Sequence, residues 1–257
     1  MVEFDPKQPT VARVYDSLIG GKDNFGPDRE VCQQLDAICP HLVKFVAENR
    51  HFLERAVRYV AERGVSQFID LGAGLPRPPM THETAREVNP VARAVYVDED
   101  PQVLAHLTAW YGNNDDSVTV VKSDVADHRV VLAAARGVLD LTGPCCLILG
   151  MIPHFFEAAA ARALMAAYLD AAAPGSYLIA SSAYSTHPRA AEFWETYSSA
   201  VRPIYPHSPE VFATFFGAAE LIPPGIGESR TWRPGWPAKA PLDTTRAILC
   251  AVGRKPG

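Results

Sequence analysis

Two carboxylates and two glycines carry the most legible chemistry in this chain. Phe68 to Pro76 reads Phe-Ile-Asp-Leu-Gly-Ala-Gly-Leu-Pro, an apolar run that ends near Asp70 and enters a Gly72-x-Gly74 loop. A second apolar run closes at Tyr96-Val97-Asp98, 24 positions after Gly74. The pattern predicts a strand, a tight turn that a ligand can approach, a helix, and a second strand ending in an acid. Glycine lacks the Cβ that would hold backbone away from a ligand, and the second acid suits a ribose diol. The block points to a nucleoside cofactor.

A dinucleotide fingerprint would place a third glycine at position 77, which is Arg, and Pro76, Pro78 and Pro79 interrupt the start of the helix. Asp70, directly before the loop, would repel a diphosphate and suits an ammonium group. Asp-x-Gly-x-Gly with a distant strand-end acid resembles the first two motifs of S-adenosylmethionine (AdoMet) methyltransferases; a Rossmann-type NAD domain is the alternative. Asp70 would then meet the ammonium of the methionine end, with Gly72 and Gly74 closing on the ligand and Asp98 accepting both ribose hydroxyls. In Ser123-Asp124-Val125, Asp124 can accept from the adenine amino group while a neighbouring backbone N–H serves a ring nitrogen. Met151 and Ile152 could pack on the adenine or line the transfer site. Each acid has a plainer role open to it: Asp70 as a turn cap, Asp98 as a helix cap.

His154, just past the fourth predicted strand, is the candidate general base, because an imidazole titrates near pH ~6.5. A hydrogen-bonded structural histidine is the equal alternative, and transfer by alignment alone needs no base. Tyr184 and His187, after the fifth strand, are the next candidates on the substrate side. The histidines show no metal-ligand spacing, so no metal is expected. Phe212, Phe215, Phe216, Trp232 and Trp236 are numerous but no basic tract interleaves them, which favours a greasy small-molecule pocket, with Trp232 in its wall, over nucleic acid.

These residues need elements to hold them. Helices are predicted at 11–19, from Gly26 to Ala37, and from His41 to Arg63; from Val65 strands and helices alternate. Strands fall near 66–71, 93–98, 117–122, 144–150 and 175–181, with helices near 81–89, 101–111, 127–139 and 156–172. That alternation predicts a parallel sheet wound by right-handed crossovers. Helices near 187–201 and 208–216, a short strand at 219–222, a proline-rich loop and a last strand at 246–252 complete the chain. The last two strands suit a terminal hairpin whose final strand inserts antiparallel.

At 257 residues the chain has room for one large α/β domain with an appendage. A net charge of −5, with the 24 Lys and Arg scattered, offers no basic surface for a nucleic-acid backbone. Five cysteines with no Cys-x-x-Cys spacing read as reduced thiols of a cytoplasmic protein. No signal peptide and no membrane-length apolar stretch is visible.

The segment from Thr10 to Arg29 contains Arg-Val-Tyr-Asp-Ser-Leu-Ile-Gly-Gly-Lys-Asp-Asn-Phe. It resembles the opening of an actinobacterial family of AdoMet-dependent methyltransferases. The likeness continues through Thr81-His82-Glu83, Tyr96-Val97-Asp98, Pro153-His154-Phe155 and Trp232-Arg233-Pro234, so it spans essentially the whole chain. Ser17 and Ile19 stand where the commoner residues are Tyr and Leu. The resemblance implies a Rossmann-like class I methyltransferase of α/β class. Its mostly parallel seven-stranded sheet would carry helices on both faces (65–257), with an N-terminal helical lid (1–64). Tyr15, Gly21 and Asn24 would lie in that lid over the cofactor. AdoMet would be the cofactor and S-adenosylhomocysteine (SAH) the product. The expected acceptor is an oxygen or nitrogen of a small molecule, such as a secondary metabolite. A non-methylating AdoMet reaction or an AdoMet-sensing module is the alternative. Neither nucleic acid nor membrane is expected as a partner, and the oligomeric state is open.

Overall fold

A computed structural model describes residues 4–40, 42–112, 115–233 and 248–257. Three helices come first: α1 (Val11–Leu18), α2 (Gly26–Ile38) and α3 (Leu42–Ala61). The alternating part follows as β1 (Gln67–Leu71), α4 (Thr81–Arg86), β2 (Arg93–Asp98), α5 (Pro101–Tyr111), β3 (Val118–Lys122), α6 (His128–Arg136), β4 (Cys146–Gly150), α7 (Ala158–Ala171) and β5 (Tyr177–Ala183). Then come α8 (Ala190–Ala200), α9 (Pro209–Ala213), β6 (Glu220–Leu221), β7 (Gly227–Glu228) and β8 (Ile248–Arg254). Local chemistry starts several of these. Asp100 accepts the N–H of Gln102 at 2.8 Å and Pro101 opens α5, an N-cap followed by a residue whose missing N–H costs nothing there.

The sheet order is β3-β2-β1-β4-β5-β8-β6, with β1 to β5 parallel and β8 antiparallel to β5. Seven strands were expected; eight are present among the described residues, and the difference is local. β6 pairs with the Gly253–Arg254 end of β8 and β7 with Leu249 and Cys250, both on the edge away from β5. They are two halves of one position. Pro223 and Pro224 between them carry no N–H, so the ladder cannot run through. The last strand runs two residues further than the expected 252, and positions 246 and 247, like Trp236, lie outside the described residues.

Alternating side chains of the central strands feed two cores. Ile69, Leu71, Val95, Val97, Leu147 and Leu149 face α6, α7 and the aromatic cluster Phe212, Phe215 and Phe216. Phe68, Tyr96, Cys146 and Ile148 face the other way, onto Phe52, Ala56, Val57 and Val60 of α3. The adjacent Cys145 and Cys146 therefore point into different cores. α3 is one of the helices that cover the sheet, so a boundary at residue 64 would cut through a packed layer. α1 and α2 contribute no buried residue to either of these cores. They build a third cluster, where Val14, Leu18, Val31 and Leu35 meet Phe193 and Tyr197 of α8. No helix among the described residues is long and apolar enough to cross a membrane.

The strand order reverses between β1 and β4. At such a switch point the loops after adjacent strands part and leave a crevice at the carboxyl edge. The loop after β1 is Gly72 to Gly74; the loop after β4 begins at Met151.

Candidate active site

The two acids and the glycine loop meet as the spacing predicts. Gly72 and Ala73 both donate backbone N–H to the carbonyl of Val97, at 2.8 and 3.0 Å, which ties the loop to the end of β2. Gly74 then donates to Asp98 Oδ2 and Asp100 to Asp98 Oδ1, each at 2.9 Å. Both glycines sit at positive φ, +76° and +68°, where a side chain is strained. Gly72 has a second reason: a Cβ there would come within 2.3 Å of Ile152 Cδ1, whereas at Gly74 it would face open space.

Asp98 is thus fixed by two N–H donors, and each of its oxygens keeps lone-pair capacity for another donor. Burial pushes its pKa up to about 6, against the pull of the Asp100 and Gly74 N–H groups. Asp70 is also raised to about 6 by burial, while the Thr81 hydroxyl at 2.7 Å and the charge of Arg50 pull it down. Arg50, on α3, reaches the carbonyls of Arg77 and Pro79 and lines the same cavity. A carboxylate and a guanidinium at one end of a cavity match the two charges of an amino-acid zwitterion. The sequence reading missed Arg50, because no local motif surrounds it.

The cavity holds about 410 Å³, within the range of roughly 300–1,000 Å³ typical of small-molecule sites. Asp70, Gly72, Gly74, Asp98, Asp124, Val125, Met151 and Tyr15 all line it. Asp124 spends one oxygen on the N–H of Ala126 at 2.8 Å, and Tyr168 donates to the Val125 carbonyl at 2.8 Å, which steadies that loop. Met151 has φ +58°, a left-handed conformation that costs a non-glycine residue about 1–2 kcal/mol. Its N–H is held by the carbonyl and the hydroxyl of Ser181, at 3.1 and 3.0 Å. Strain of this kind, fixed from outside, gathers at ligand sites.

Of the three lid residues expected over the cofactor, only Tyr15 lines the cavity. Gly21 and Asn24 do something else. Asn24 Nδ2 and the N–H of Asp23 both donate to Asp16 Oδ2, at 2.8 and 3.0 Å. A Cβ on Gly21 would lie 1.8 Å from Asp16 Oδ1. These residues close the turn around Asp16, and it is Asp16 that reaches the cavity. Arg13 pairs with Asp28 at 3.0 Å, both fully buried. Much of the signature therefore folds the cap itself. Asn49 of α3 was not foreseen. It donates from Nδ2 to the Tyr15 hydroxyl at 3.1 Å, is 1% exposed, lines the cavity, and leaves Oδ1 without a partner among the described residues.

A second cavity, of about 90 Å³, lies between α1, α2, α3 and α8 and shares Val11, Tyr15, Met151 and Phe155 with the first. His154 lies on this side, and its setting overturns the general-base expectation. It is 2% exposed, and its Nδ1 accepts the N–H of Ala183 at 3.2 Å. Burial, then the neighbouring His207 and Arg202, lower its pKa to about 3. At neutral pH the imidazole is uncharged and its one ring lone pair is taken. His187 lines the second cavity, with Nδ1 accepting from Arg189 at 3.1 Å. Tyr184 packs against the core and lines neither cavity. Trp232 is a core residue too, wholly buried and edge-on to Phe52 and Tyr59 at 5.5 and 5.8 Å. A large aromatic in a proline-rich loop suggested a pocket wall; here it plugs the gap beside α3.

A family model described as S-adenosyl methyltransferase matches residues 1–256. The chain belongs to this S-adenosyl methyltransferase family. It is an AdoMet-dependent methyltransferase of class I fold. A candidate methyltransferase from Thermobifida fusca YX is 37% identical, with TM-score 0.92 over 98% of this chain and 96% of the other. A DUF574 family protein from Streptomyces avermitilis MA-4680 is 32% identical, with TM-score 0.90 over 98% and 99%. The N-methyltransferase NodS from Bradyrhizobium japonicum WM9, in complex with SAH, shares the fold at TM-score 0.52 and 11% identity, over 95% of this chain and 100% of its own. Among curated proteins nothing matches.

Proposed function

We propose that this methyltransferase acts on an oxygen or nitrogen of a small molecule, as in secondary metabolism, and binds AdoMet in the larger cavity. The observation that carries this reading is the Asp98 carboxylate, pinned by Gly74 and Asp100 with acceptor capacity left over. Asp98 would hold the ribose hydroxyls, and Asp124 the adenine amino group. Asp70 would hold the ammonium, and Arg50 the carboxylate of the methionine end. Met151 and Tyr15 line both cavities, which supports the acceptor meeting the cofactor at that junction. When bound, AdoMet would supply a methyl carbon on a sulfonium; its transfer to the acceptor's lone pair would leave SAH as a neutral thioether, with the acceptor's proton released to solvent as the product leaves.

The chain's own part is to bind, align and exclude water. With His154 spent on the backbone, alignment of the acceptor supplies the rate, as proximity can. α1 and α2 cover the junction and act as the lid. The test is incubation of the full chain with methyl-labelled AdoMet and a metabolite extract, followed by mass spectrometry. Labelled small molecules that vanish with Asp98→Ala are expected. Label found only on macromolecules would overturn the small-molecule reading.

A further inference from the structure

We infer that the acceptor is an uncharged small molecule bearing a hydroxyl or amine on an apolar ring, its ring in the second cavity and its polar group on Asn49 and Tyr15. The inference rests on the methyl-transfer reading above.

Three observations carry it. First, the second cavity opens onto the first through Tyr15 and Met151, so its occupant can reach the methyl-transfer junction. Second, its walls are apolar, with Leu18, Leu35, Val46, Phe193 and Trp194 among them. The one guanidinium there, on Arg189, is engaged by Glu192 at 2.8 Å and by the Ala37 carbonyl at 3.0 Å. Among the described residues that line it, no carboxylate is present. A charged occupant would find no counter-ion and would lose its hydration. Third, the wall of the first cavity carries an unmet polar demand beside Tyr15, a residue of both cavities. Asn49 is 1% exposed, its Nδ2 is given to Tyr15, and its Oδ1 has no partner among the described residues.

Buried polar atoms are nearly always paired, so an orphan on a cavity wall marks where a ligand's donor belongs. Because Asn49 donates to the Tyr15 oxygen, the Tyr15 proton is free to donate in turn. Burial raises the Tyr15 pKa, which keeps that proton in place at neutral pH. The junction therefore presents one acceptor and one donor side by side. A hydroxyl satisfies both and an amine N–H satisfies the acceptor, whereas a bare hydrocarbon satisfies neither. The cavity's size, about 90 Å³, suits a single small ring rather than a fused system.

The probes are phenol, aniline and toluene, titrated by ligand-observed NMR into the full chain saturated with SAH. Phenol and aniline are expected to bind at least about tenfold more tightly than toluene, the value of one satisfied hydrogen bond. Ala190→Phe, at a half-buried position on the cavity wall, should weaken phenol binding by about tenfold or more through lost space, with SAH affinity unchanged. Asn49→Leu should narrow the difference between phenol and toluene, leaving only what the Tyr15 hydroxyl contributes. Should that variant fail to fold, Tyr15→Phe, which removes one donor and little volume, should weaken phenol and spare toluene. Equal binding of phenol and toluene to the native chain, no effect of Ala190→Phe, or no probe bound while SAH binds would each overturn the inference. Failure of SAH itself to bind would instead sink the reading on which it rests.

Discussion

Asp98 and Gly74, 24 residues apart in sequence, are joined by a backbone N–H donated to Oδ2 at 2.9 Å. The bond makes the glycine loop and the second strand end a single piece. It also aims the carboxylate, because Asp100 holds the other oxygen at the same distance. A ligand that lies along the loop meets an acceptor already oriented, so little ordering cost falls on binding.

Asp98→Ala should weaken AdoMet and SAH binding by about 1.5–3 kcal/mol, the range for hydrogen bonds to a charged group. Asp98→Asn should lose less, since it keeps one oxygen acceptor. Calorimetry with SAH measures both, and an unchanged dissociation constant for the alanine variant would remove Asp98 from the ribose site.

The raised pKa values of Asp70 and Asp98 give binding a pH dependence of definite sign. The ligand's ammonium and hydroxyls require the carboxylates ionised, yet both acids titrate at about 6 in the ligand-free protein. SAH affinity should therefore rise as pH increases through about 6, with protons released on binding at the acid end. Calorimetry in buffers of different ionisation enthalpy counts those protons. The sign for the ligand-free fold is opposite: stability should fall from the ordinary value of 3.8 to about 6, because the unfolded chain ionises these acids first. Flat SAH affinity across this window would contradict the assignment.

His154→Ala should act on stability and not on chemistry. It leaves the Ala183 N–H without its acceptor, at a cost of about 1–3 kcal/mol, and opens a cavity besides. SAH affinity should stay constant, and turnover with any acceptor should fall by less than about tenfold. In the native chain the histidine is buried neutral with its pKa lowered to about 3, so its contribution is lost as pH falls below the ordinary 6.5. Thermal melts across that range should show this acid limb in the native chain and a shallower one in the variant.

Arg13→Ala should loosen the cap. Its partner Asp28 is fully buried and also accepts the N–H groups of Phe25 and Thr10, so the loss strands a charge inside the α1–α2 unit. Removing one member of a buried pair typically costs about 3–5 kcal/mol. Hydrogen exchange should report lost protection in residues 10–29 while the amides of β1, β2 and β4 keep theirs, and SAH should bind more weakly. In the native chain, the same residues should gain protection when SAH is added. A variant whose sheet and cap unfold together would show that the cap is not a separate unit.

What the sequence carried unaided was local and periodic. The parallel strands were readable as apolar runs, because a strand buried on both faces must be apolar throughout. The end of β2 and all of α5 fall where the pattern put them, and Asp100-Pro101 states a helix start in two residues. Asp70, Gly72, Gly74 and Asp98 were visible for the same reason. Their spacing is set by one strand, turn and helix, and glycine takes φ values of +76° and +68° at the turn without the strain a side chain would bring.

The rest depended on which surfaces meet. No pattern within the chain reveals that α3 covers the sheet and brings Arg50 and Asn49 to the cavity, since both lie on an amphipathic helix of ordinary appearance. His154 and Trp232 had the right residue types near the right edge, but burial decided their roles. Burial belongs to the assembled fold: it places Ala183 against one ring nitrogen and Phe52 and Tyr59 against the indole. The second cavity exists only because α1, α2 and α3 meet α8, distant from them in sequence, and leave a gap between their apolar faces. Residue identity thus determined which groups could bind a nucleoside. Packing decided which of them face the ligand and which are walled in, because desolvation and contact are set by neighbours that the chain supplies from afar.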